Sequence, residues 1–319
     1  MADVGLAIPA LRDGSIITVG TFDGVHRGHQ DVLARLAKRA RSRSLPSVLV
    51  TFDPHPLEVV NPQAAPALLT VADEKLEVIA ESGVDYVVVI PFTVAFSHLS
   101  AEAFVTEVLR ARYGMSELLI GHDHGFGRGR SGDIEMLQLL GARLGFAVDV
   151  VPPVESSDGR SVSSTFIRRA IAGGDLSRAA QGLGRPYSVS GRVVHGAQRG
   201  RELGFRTLNL PSPPSRKLLP PEGVYAVRVQ TPLGPFGGML NLGGRPTFGE
   251  TERNLEVHLF DAQGDWYGRT IRIDFVSRLR DIQRFDGPAA LVAQLHRDEA
   301  DARRALTVPP TEPTFPSSA

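Results

Sequence analysis

Two histidines in a glycine-rich turn have the types and spacing most suggestive of chemistry in this chain. His26 and His29 lie in TVGTFDGVHRGH, residues 18–29, which follows the apolar run 15–19 and precedes a helical pattern. We predict a strand, a turn and a helix, with both imidazoles at the helix N-terminus, where unpaired backbone N–H groups and the helix dipole favour an anion. A phosphate chain fits such a site, because preorganised donors stabilise the negative charge that gathers during phosphoryl transfer.

The glycines of this turn support the same interpretation. Gly20, Gly24 and Gly28 are expected to let the backbone approach the phosphates closely, since only glycine takes the required φ values at no cost. The alternative is a tight strand-to-helix turn with two surface histidines. The FDG sequence, the glycine spacing and the strand and helix on either side favour the phosphate site over that alternative.

Length and composition limit the class of protein. A chain of 319 residues suggests two domains, and its 42% hydrophobic and 22% charged residues are ordinary for a globular protein. A formal net charge of zero argues against nucleic-acid and membrane-surface binding. The absence of cysteine excludes disulfides, thiolate nucleophiles and cysteine-based zinc sites. No signal-like segment and no apolar run of about 18 residues occurs, so a cytoplasmic protein is expected.

The rest of the first half alternates apolar strands with amphipathic helices, which predicts a buried, doubly wound parallel sheet with helices on both faces. Ligands bind such a sheet beyond the C-terminal ends of its strands. Polar stretches follow four of the strands, and although each alone also fits an ordinary turn, loop or helix start, together they favour a site at one edge. They are the histidine turn, FDPHP at 52–56, GHDHGFGRGRSGD at 121–133 and SSTFIRRAI at 163–171.

The second half has a different period. From Tyr187 onward, short strands with turn-rich connections predict a small antiparallel β-barrel, followed by a C-terminal amphipathic helix over 288–306. We place the domain boundary between residues 185 and 186, and we expect the proline- and serine-rich residues 307–319 to form a disordered tail.

One strand of the predicted barrel carries a candidate base. In NLEVHLF, residues 254–260, strict alternation puts Glu256 and His258 on one face and three apolar side chains on the other. A carboxylate in such a position is either a solvent-facing residue or a general base held over a pocket.

The motifs GTFDGVHRGH, TFDPHP, GHDHGFGRGRSGD and SSTFIRRAIAGGDLSRAAQGLGRPY resemble those of the adenylyltransferase half of the bifunctional prokaryotic riboflavin kinase/FAD synthetase family. The second half resembles the family's riboflavin kinase module, so the resemblance covers nearly the whole chain. It implies an α/β nucleotidyltransferase domain over 1–185 and a riboflavin kinase barrel over 186–306. Such an enzyme converts riboflavin to FMN and then FMN to FAD, with ATP as co-substrate, Mg²⁺ as cofactor and small molecules as its only implied partners, in a monomer or transient homo-oligomer.

The resemblance implies residue roles in the adenylyl step. His26 and His29 match the HxGH histidines that hold the triphosphate, and they are the candidate catalytic residues of this half. The other matching positions, which would bind ATP or its phosphates, are Gly20, Phe22, Asp23, Gly24, Asp123, Ser164, Thr165 and Arg168.

In the kinase half, Glu256 matches the base that takes the proton from the riboflavin 5′-hydroxyl as it attacks the γ-phosphate of ATP. Thr207 and Asn209 match the threonine and asparagine whose oxygens bind Mg²⁺ and phosphate, and oxygen ligands suit this hard cation. The remaining candidates for binding ATP or flavin are Gly196, Gly204, Arg278 and Phe285, the last two bounding the segment expected near the isoalloxazine ring.

The kinase half departs from the family pattern at four positions, of which Leu208 stands in place of alanine and Ile282 in place of glutamate, and the other two bear on kinase activity. Arg206 stands where the family has proline, and Gln198 stands where it often has a second glycine. If the strand alternates, the Arg206 side chain points away from Thr207 and Asn209 into solvent. The departures keep open an FMN adenylyltransferase with a weak or inactive kinase module. A non-catalytic flavin-binding regulatory protein is the other alternative, which the histidine pair and Glu256 argue against.

Overall fold

A computed structural model describes residues 11, 13–122, 125, 127, 132–155, 159–195, 204–247 and 250–307. These residues form two compact units. The first unit contains the described residues up to Ala67 together with Lys75–Ser163, and the second contains Leu68–Glu74 together with the described residues from Ser164 onward. Residues 308–319 of the predicted tail lie outside the described residues.

A five-stranded parallel sheet forms the centre of the first unit. Its strands are β1 (Ser15–Val19), β2 (Ser47–Asp53), β3 (Tyr86–Pro91), β4 (Met115–Gly121) and β5 (Ala147–Val151). They lie in the order β3-β2-β1-β4-β5, and every neighbouring pair is parallel. The order reverses between β1 and β4, and doubly wound sheets bind ligands at such a reversal.

The central strand β1 is buried on both faces of the sheet, and successive residues of a strand point to opposite faces. Ile16 belongs to the same apolar cluster as Leu33 of helix α1 (Arg27–Arg43). Its neighbour Ile17 belongs to the cluster on the other face, with Leu109. Full burial of one such leucine contributes roughly 1.5–3 kcal/mol. The predicted α/β class with a doubly wound parallel sheet is confirmed.

The remaining helices connect the strands or cover the sheets. A 3-10 turn spans Pro62–Ala64, and a π-helical stretch spans Phe104–Arg110. The α-helices are α2 (Pro56–Val60), α3 (Ala72–Ala80), α4 (Val94–Ser97), α5 (Ala101–Ala103), α6 (Ala111–Tyr113), α7 (Ile134–Leu144), α8 (Ser164–Ala172), α9 (Leu176–Leu183) and α10 (Pro288–Leu306).

The second unit contains a six-stranded antiparallel sheet. Its strands are β6 (Ser188–Arg192), β7 (Leu208–Leu210), β8 (Gly223–Thr231), β9 (Gly234–Thr247), β10 (Glu250–Leu259) and β11 (Thr270–Arg280), in the order β6-β11-β8-β9-β10-β7. The two edge strands meet through a bridge in which Val194 N donates to Asn209 O at 2.8 Å. The sheet is therefore a nearly closed barrel, as predicted.

The C-terminal helix α10 packs against this barrel. Val292 and Leu295 contact the apolar cluster formed by buried barrel residues. Arg280 of β11 contacts both carboxylate oxygens of Asp298 on α10, at 2.7 to 3.1 Å. Helices α8 and α9, which the predicted division assigns to the first domain, cluster with the second unit, where α9 packs on β11. The boundary at residues 185 and 186 stays a prediction.

A segment from the first half of the sequence, Leu68–Glu74, is also part of the second unit. Its first residue forms a parallel bridge with Lys217, in which Leu68 N donates to Arg216 O at 2.7 Å and Leu218 N donates to Leu68 O at 2.8 Å. The segment therefore contributes backbone hydrogen bonds to a unit that the chain completes much later.

A buried ion pair holds the other end of this segment. Lys217 Nζ lies 2.6 Å from Glu74 Oε2 and also donates to the carbonyl oxygens of Leu69 and Ser188, at 2.8 and 2.9 Å. The two charged side chains are 0% and 4% exposed. The second Glu74 oxygen accepts from Ser190 N at 2.9 Å. Such a pair is stable only because hydrogen bonds satisfy both partners.

Lys217→Met is therefore expected to destabilise the second unit by about 3–5 kcal/mol, since it leaves the Glu74 carboxylate buried without its cation. The only tryptophan of the chain, Trp266, is buried in this unit and reports its unfolding in denaturant by fluorescence. Adding Glu74→Gln to Lys217→Met is expected to recover much of the lost stability, because neither position of the former pair then carries a charge. If Lys217→Met alone unfolds at the same denaturant concentration as the native protein, this account of the ion pair is contradicted.

Candidate active sites

The turn between β1 and α1 brings the two predicted histidines together. His26 is the N-cap of α1, with extended backbone, and its Nδ1 accepts a long hydrogen bond of 3.4 Å from His29 N. The two imidazole rings stack with centroids 3.7 Å apart, and the ring of Phe22 lies 4.7 Å from that of His29. The structure thus assembles His26, His29 and Phe22 at the end of one strand.

The N-terminus of α1 remains available to an anion. Its first turn carries no acidic residue, so no carboxylate of that helical turn compensates the positive end of the dipole. Nδ1 of His29 is buried and has no hydrogen-bond partner among the described residues. A buried polar atom of this kind calls for a ligand or solvent partner.

The three glycines of this turn serve two different purposes. Gly24 has φ +80°, in the left-handed region that favours glycine. A Cβ on Gly20 would lie 2.9 Å from the ring of Phe22, and one on Gly28 would lie 3.2 Å from the ring of His26. The expectation that φ alone requires all three glycines is therefore wrong for Gly20 and Gly28, where the close approach of an aromatic ring is the reason.

The environment of His29 lowers its pKa well below the usual value of 6.5. Burial is the largest cause, because it disfavours the charged form, and the positive charges of His26 and Lys75 act in the same direction. The ring is therefore neutral near pH 7, with one nitrogen able to donate a hydrogen bond and the other able to accept one.

The FDPHP stretch begins with the last two residues of β2, the parallel neighbour of β1. Thr51 Oγ1 donates to Thr21 O at 3.1 Å and so connects the end of β2 to the histidine turn. His55 caps α2: its Nδ1 accepts from Leu57 N at 3.2 Å, while its own N–H donates to Glu58. In this structure the His55 side chain therefore has a capping role.

The other residues predicted to act in the adenylyl step lie in different parts of the chain, and the structure describes only some of them. Asp23 is buried in the histidine turn, at 3% exposure. Asp123 and most of the loop around it lie outside the described residues. Ser164, Thr165 and Arg168 begin α8 in the second unit, where Arg168 lies about one helical turn beyond the first two. Their roles in binding phosphate stay predictions.

In the barrel, strand register brings Glu256 and Asn209 together. Glu256 of β10 lies directly opposite Asn209 of β7 and, on its other side, opposite Asn241 of β9. Asn209 is 6% exposed, and its Oδ1 has no hydrogen-bond partner in the part of the chain that the structure describes. Asn254, two residues before Glu256 on the same face, donates to Glu256 Oε1 at 2.6 Å.

Arg206, one of the departures from the family pattern, lies in the segment before β7. The Arg206 side chain is exposed, as expected, while its carbonyl oxygen lies 2.8 Å from His258 Nδ1. Thr207 is partly buried, and Gly204 has φ +81°, a conformation that favours glycine. Gly196 and Gln198 lie outside the described residues.

Arg278 and Phe285 have separate surroundings. Arg278 donates to Asp281 Oδ1 at 2.5 Å and to the backbone carbonyl of Glu222. The ring of Phe285 instead faces the guanidinium of Arg280, 5.7 Å from its centroid. Arg278 and Phe285 therefore interact with different residues.

The segment that contains Phe285 reaches the strand beside Glu256. Ile282 Cδ1 lies 3.9 Å from a Cβ built on Gly243, and Gly243 pairs with Asn254 across β9 and β10. The loop after β11 thus lies next to the face that carries the candidate base.

Sequence analysis missed two groups that the structure adds to these sites. Asn254 could have been found, because strand alternation already puts it on the face of Glu256. Lys75 carried a weaker signal: it lies on the helix face of Val78 and Ile79, where a buried side chain is expected. The long-range pairing of Glu256 with Asn209 has no local signal in the sequence.

The fold and its sites define a class: a doubly wound α/β unit with an HxGH turn at a helix N-terminus, followed by a β-barrel with a carboxylate on an inner strand. The family model for FAD synthetase matches residues 8–166, and the model for riboflavin kinase matches residues 183–306. The chain belongs to the bifunctional riboflavin kinase/FMN adenylyltransferase family. The predicted family, enzyme class and pair of activities are thereby confirmed.

Named relatives agree with this assignment. Bifunctional riboflavin kinase/FMN adenylyltransferases from Escherichia coli K12 and Pseudomonas fluorescens are each 42% identical to this chain, over 92% and 93% of it and 93% and 94% of their own lengths. A crystal structure from Streptococcus pneumoniae, described as a macrolide-efflux protein, is 33% identical with a TM-score of 0.82 and covers 94% of this chain and 96% of its own. Among the described residues, no helix is long and apolar enough to span a membrane.

The pKa of His29 can be measured by following its ring resonances in an NMR titration, with His29→Gln used for assignment. We expect a midpoint below 6.5. Between that midpoint and 6.5 the folded chain binds fewer protons at this site than the unfolded chain, so the stability contributed by neutral His29 is complete above about 6.5 and is lost as the pH falls. A midpoint at or above 6.5 would show that the ring is less buried than described.

Proposed function

We propose that the histidine turn carries out adenylyl transfer from ATP to FMN and that the face of Glu256 in the barrel carries out phosphorylation of riboflavin by ATP. Both halves act on small molecules, and the FMN made by the second unit is the substrate of the first. The observation that supports the adenylyl half most directly is the buried Nδ1 of His29, which has no hydrogen-bond partner among the described residues and lies at a helix N-terminus without first-turn carboxylates.

In the adenylyl step, a phosphate oxygen of FMN forms a bond to the α-phosphorus of ATP, and the bond from that phosphorus to the bridging oxygen breaks, so that pyrophosphate leaves. Negative charge builds on the α-phosphoryl oxygens and on the leaving group. His26 and His29 lie at the N-terminus of α1 before the reaction and would donate hydrogen bonds to these oxygens, as would backbone N–H groups of that helix end. No covalent intermediate with the protein is needed.

In the kinase step, the 5′-oxygen of riboflavin forms a bond to the γ-phosphorus of ATP, the bond to the β,γ-bridging oxygen breaks, and ADP leaves. Glu256 would accept the hydroxyl proton. The hydrogen bond from Asn254 to Glu256 Oε1 supports this role, because it fixes the carboxylate and leaves Oε2 available to the hydroxyl. Exposed Arg206 gives no support to an inactive kinase module, since its side chain is directed into solvent.

The residues of the kinase site fit a Mg²⁺ ion. The buried Oδ1 of Asn209 is a hard oxygen ligand without a protein partner among the described residues, and Thr207 provides a second oxygen two residues earlier. We propose that these two oxygens hold the cation. When bound, Mg²⁺ would neutralise phosphate charge as the γ-phosphoryl group is transferred.

His29→Ala is expected to lower FAD formation from FMN and ATP by roughly 10²-fold to 10³-fold, because one donor directed at developing phosphate charge is lost. FMN formation from riboflavin, measured by chromatography of the same reaction, should be unchanged. His98→Ala, an exposed histidine of the first unit, is the matched control and should behave as the native protein. Equal loss of both products in His29→Ala would reject the two-site assignment.

Glu256→Gln is expected to have the opposite pattern. Loss of a general base should slow riboflavin phosphorylation by about 10²-fold to 10⁴-fold, while FAD is still made from supplied FMN. The amide keeps the size of the side chain and the hydrogen bond from Asn254 to its oxygen, so a fall in rate reports the lost proton acceptor. Unimpaired phosphorylation in this variant would exclude Glu256 as the base.

A further inference from the structure

Lys75 is a buried lysine beneath the histidine turn. It lies in α3, is 7% exposed, and its Nζ donates to Thr21 O at 3.3 Å, to Thr51 Oγ1 at 3.2 Å and to Phe52 O at 3.2 Å. An ammonium group has only donors, and all three of these oxygens are acceptors. Burying such a group carries a desolvation penalty, which an apolar side chain in the same place would avoid.

The three oxygens belong to two segments of the proposed adenylyl site. Thr21 immediately precedes Phe22, whose ring contacts His29, whereas Thr51 and Phe52 lie near the end of β2, where the FDPHP stretch begins. Thr51 Oγ1 also donates to Thr21 O, so that the ammonium and the hydroxyl share one acceptor. The cluster therefore fixes the distance between the histidine turn and the end of the neighbouring strand.

The choice of lysine at this position is unusual for this chain. The sequence contains only three lysines, Lys38, Lys75 and Lys217, and its other basic side chains, apart from histidine, are all arginine. Two of the three, Lys75 and Lys217, are buried, and each donates to at least three oxygens. A planar guanidinium presents its donors in a rigid fork and cannot reproduce the arrangement around a tetrahedral ammonium.

The charge of Lys75 also acts on the catalytic turn. Burial, the charge of His26 and the charge of Lys75 all lower the pKa of His29. His26 and Lys75 are the two titratable groups among these causes. A positive charge fixed at this place raises the local potential for an anion such as a triphosphate. Geometry and charge thus act on the same end of the sheet.

We propose that Lys75 is a positioning residue for adenylyl transfer, which holds the histidine turn against β2 through its three hydrogen bonds and keeps a fixed positive charge beside the phosphate-binding histidines. The inference rests on the proposed function of that turn. Lys75 acts through Thr21, Thr51 and Phe52 and has no part in the barrel reaction.

The test uses the full chain with Lys75→Met, which keeps an unbranched stem and removes both the donors and the charge. We expect kcat for FAD formation to fall roughly 10²-fold, as for a small misplacement of reacting groups, with a smaller change in KM for FMN. The NMR-measured pKa of His29 should rise, and riboflavin phosphorylation by the same preparation should be unchanged. Lys38→Met, at an exposed lysine of α1, is the matched control and should leave all four quantities unchanged.

Lys75→Arg separates geometry from charge and also serves if Lys75→Met does not fold. We expect slow FAD formation while the pKa of His29 stays low. Native FAD formation in Lys75→Met or in Lys75→Arg would overturn the proposal, as would parallel loss of both activities, which indicates a general folding role. His29→Ala distinguishes failure of this inference from failure of the proposed function. If His29→Ala loses FAD formation while Lys75→Met retains it, only the role of Lys75 is rejected. If His29→Ala retains FAD formation, the proposed function of the histidine turn is rejected.

Discussion

The first unit depends on one constraint: parallel strands all end at the same edge of their sheet, so the end of β1, the end of β2 and the N-terminus of α1 must meet there. The positive end of α1 is useful only if the turn leaves it accessible to an anion. Phe22 and Val25 have φ values of 49° and 39° to form that turn, at a cost of about 1–3 kcal/mol each. Both side chains are almost fully buried, and this burial offsets the backbone strain.

The barrel positions its groups by a different means. In an antiparallel ladder, residues directly opposite each other have Cβ atoms about 4.5–5.5 Å apart, so the register alone brings Asn209 beside Glu256. Asn209 also accepts the backbone hydrogen bond from Val194 that joins the edge strands. Closure of the barrel and assembly of the kinase site therefore depend on the same short strand, β7.

Much of this architecture follows from local patterns in the sequence. Apolar strands alternating with amphipathic helices predict the parallel sheet. Strict alternation of apolar and polar residues around Glu256 predicts which side chains point away from the barrel core. The histidine turn is predictable because strand, glycines and helix are contiguous. Lys75 and Lys217 are not, because their partners lie in distant segments, and a buried lysine has the same local pattern as a solvated one at the edge of an apolar face.

The ion pair between Glu74 and Lys217 has a consequence for the order of folding during protein synthesis. The two residues are separated by 143 positions. At translation rates of about 5–20 residues per second, Lys217 is made roughly 7–30 s after Glu74. For that time the Leu68–Glu74 segment has no barrel to join and must stay solvated while the strands around it in the sequence are already available to pair. The Leu68–Glu74 segment of the nascent chain therefore lacks its barrel partners until the ribosome has synthesised a large part of the second half.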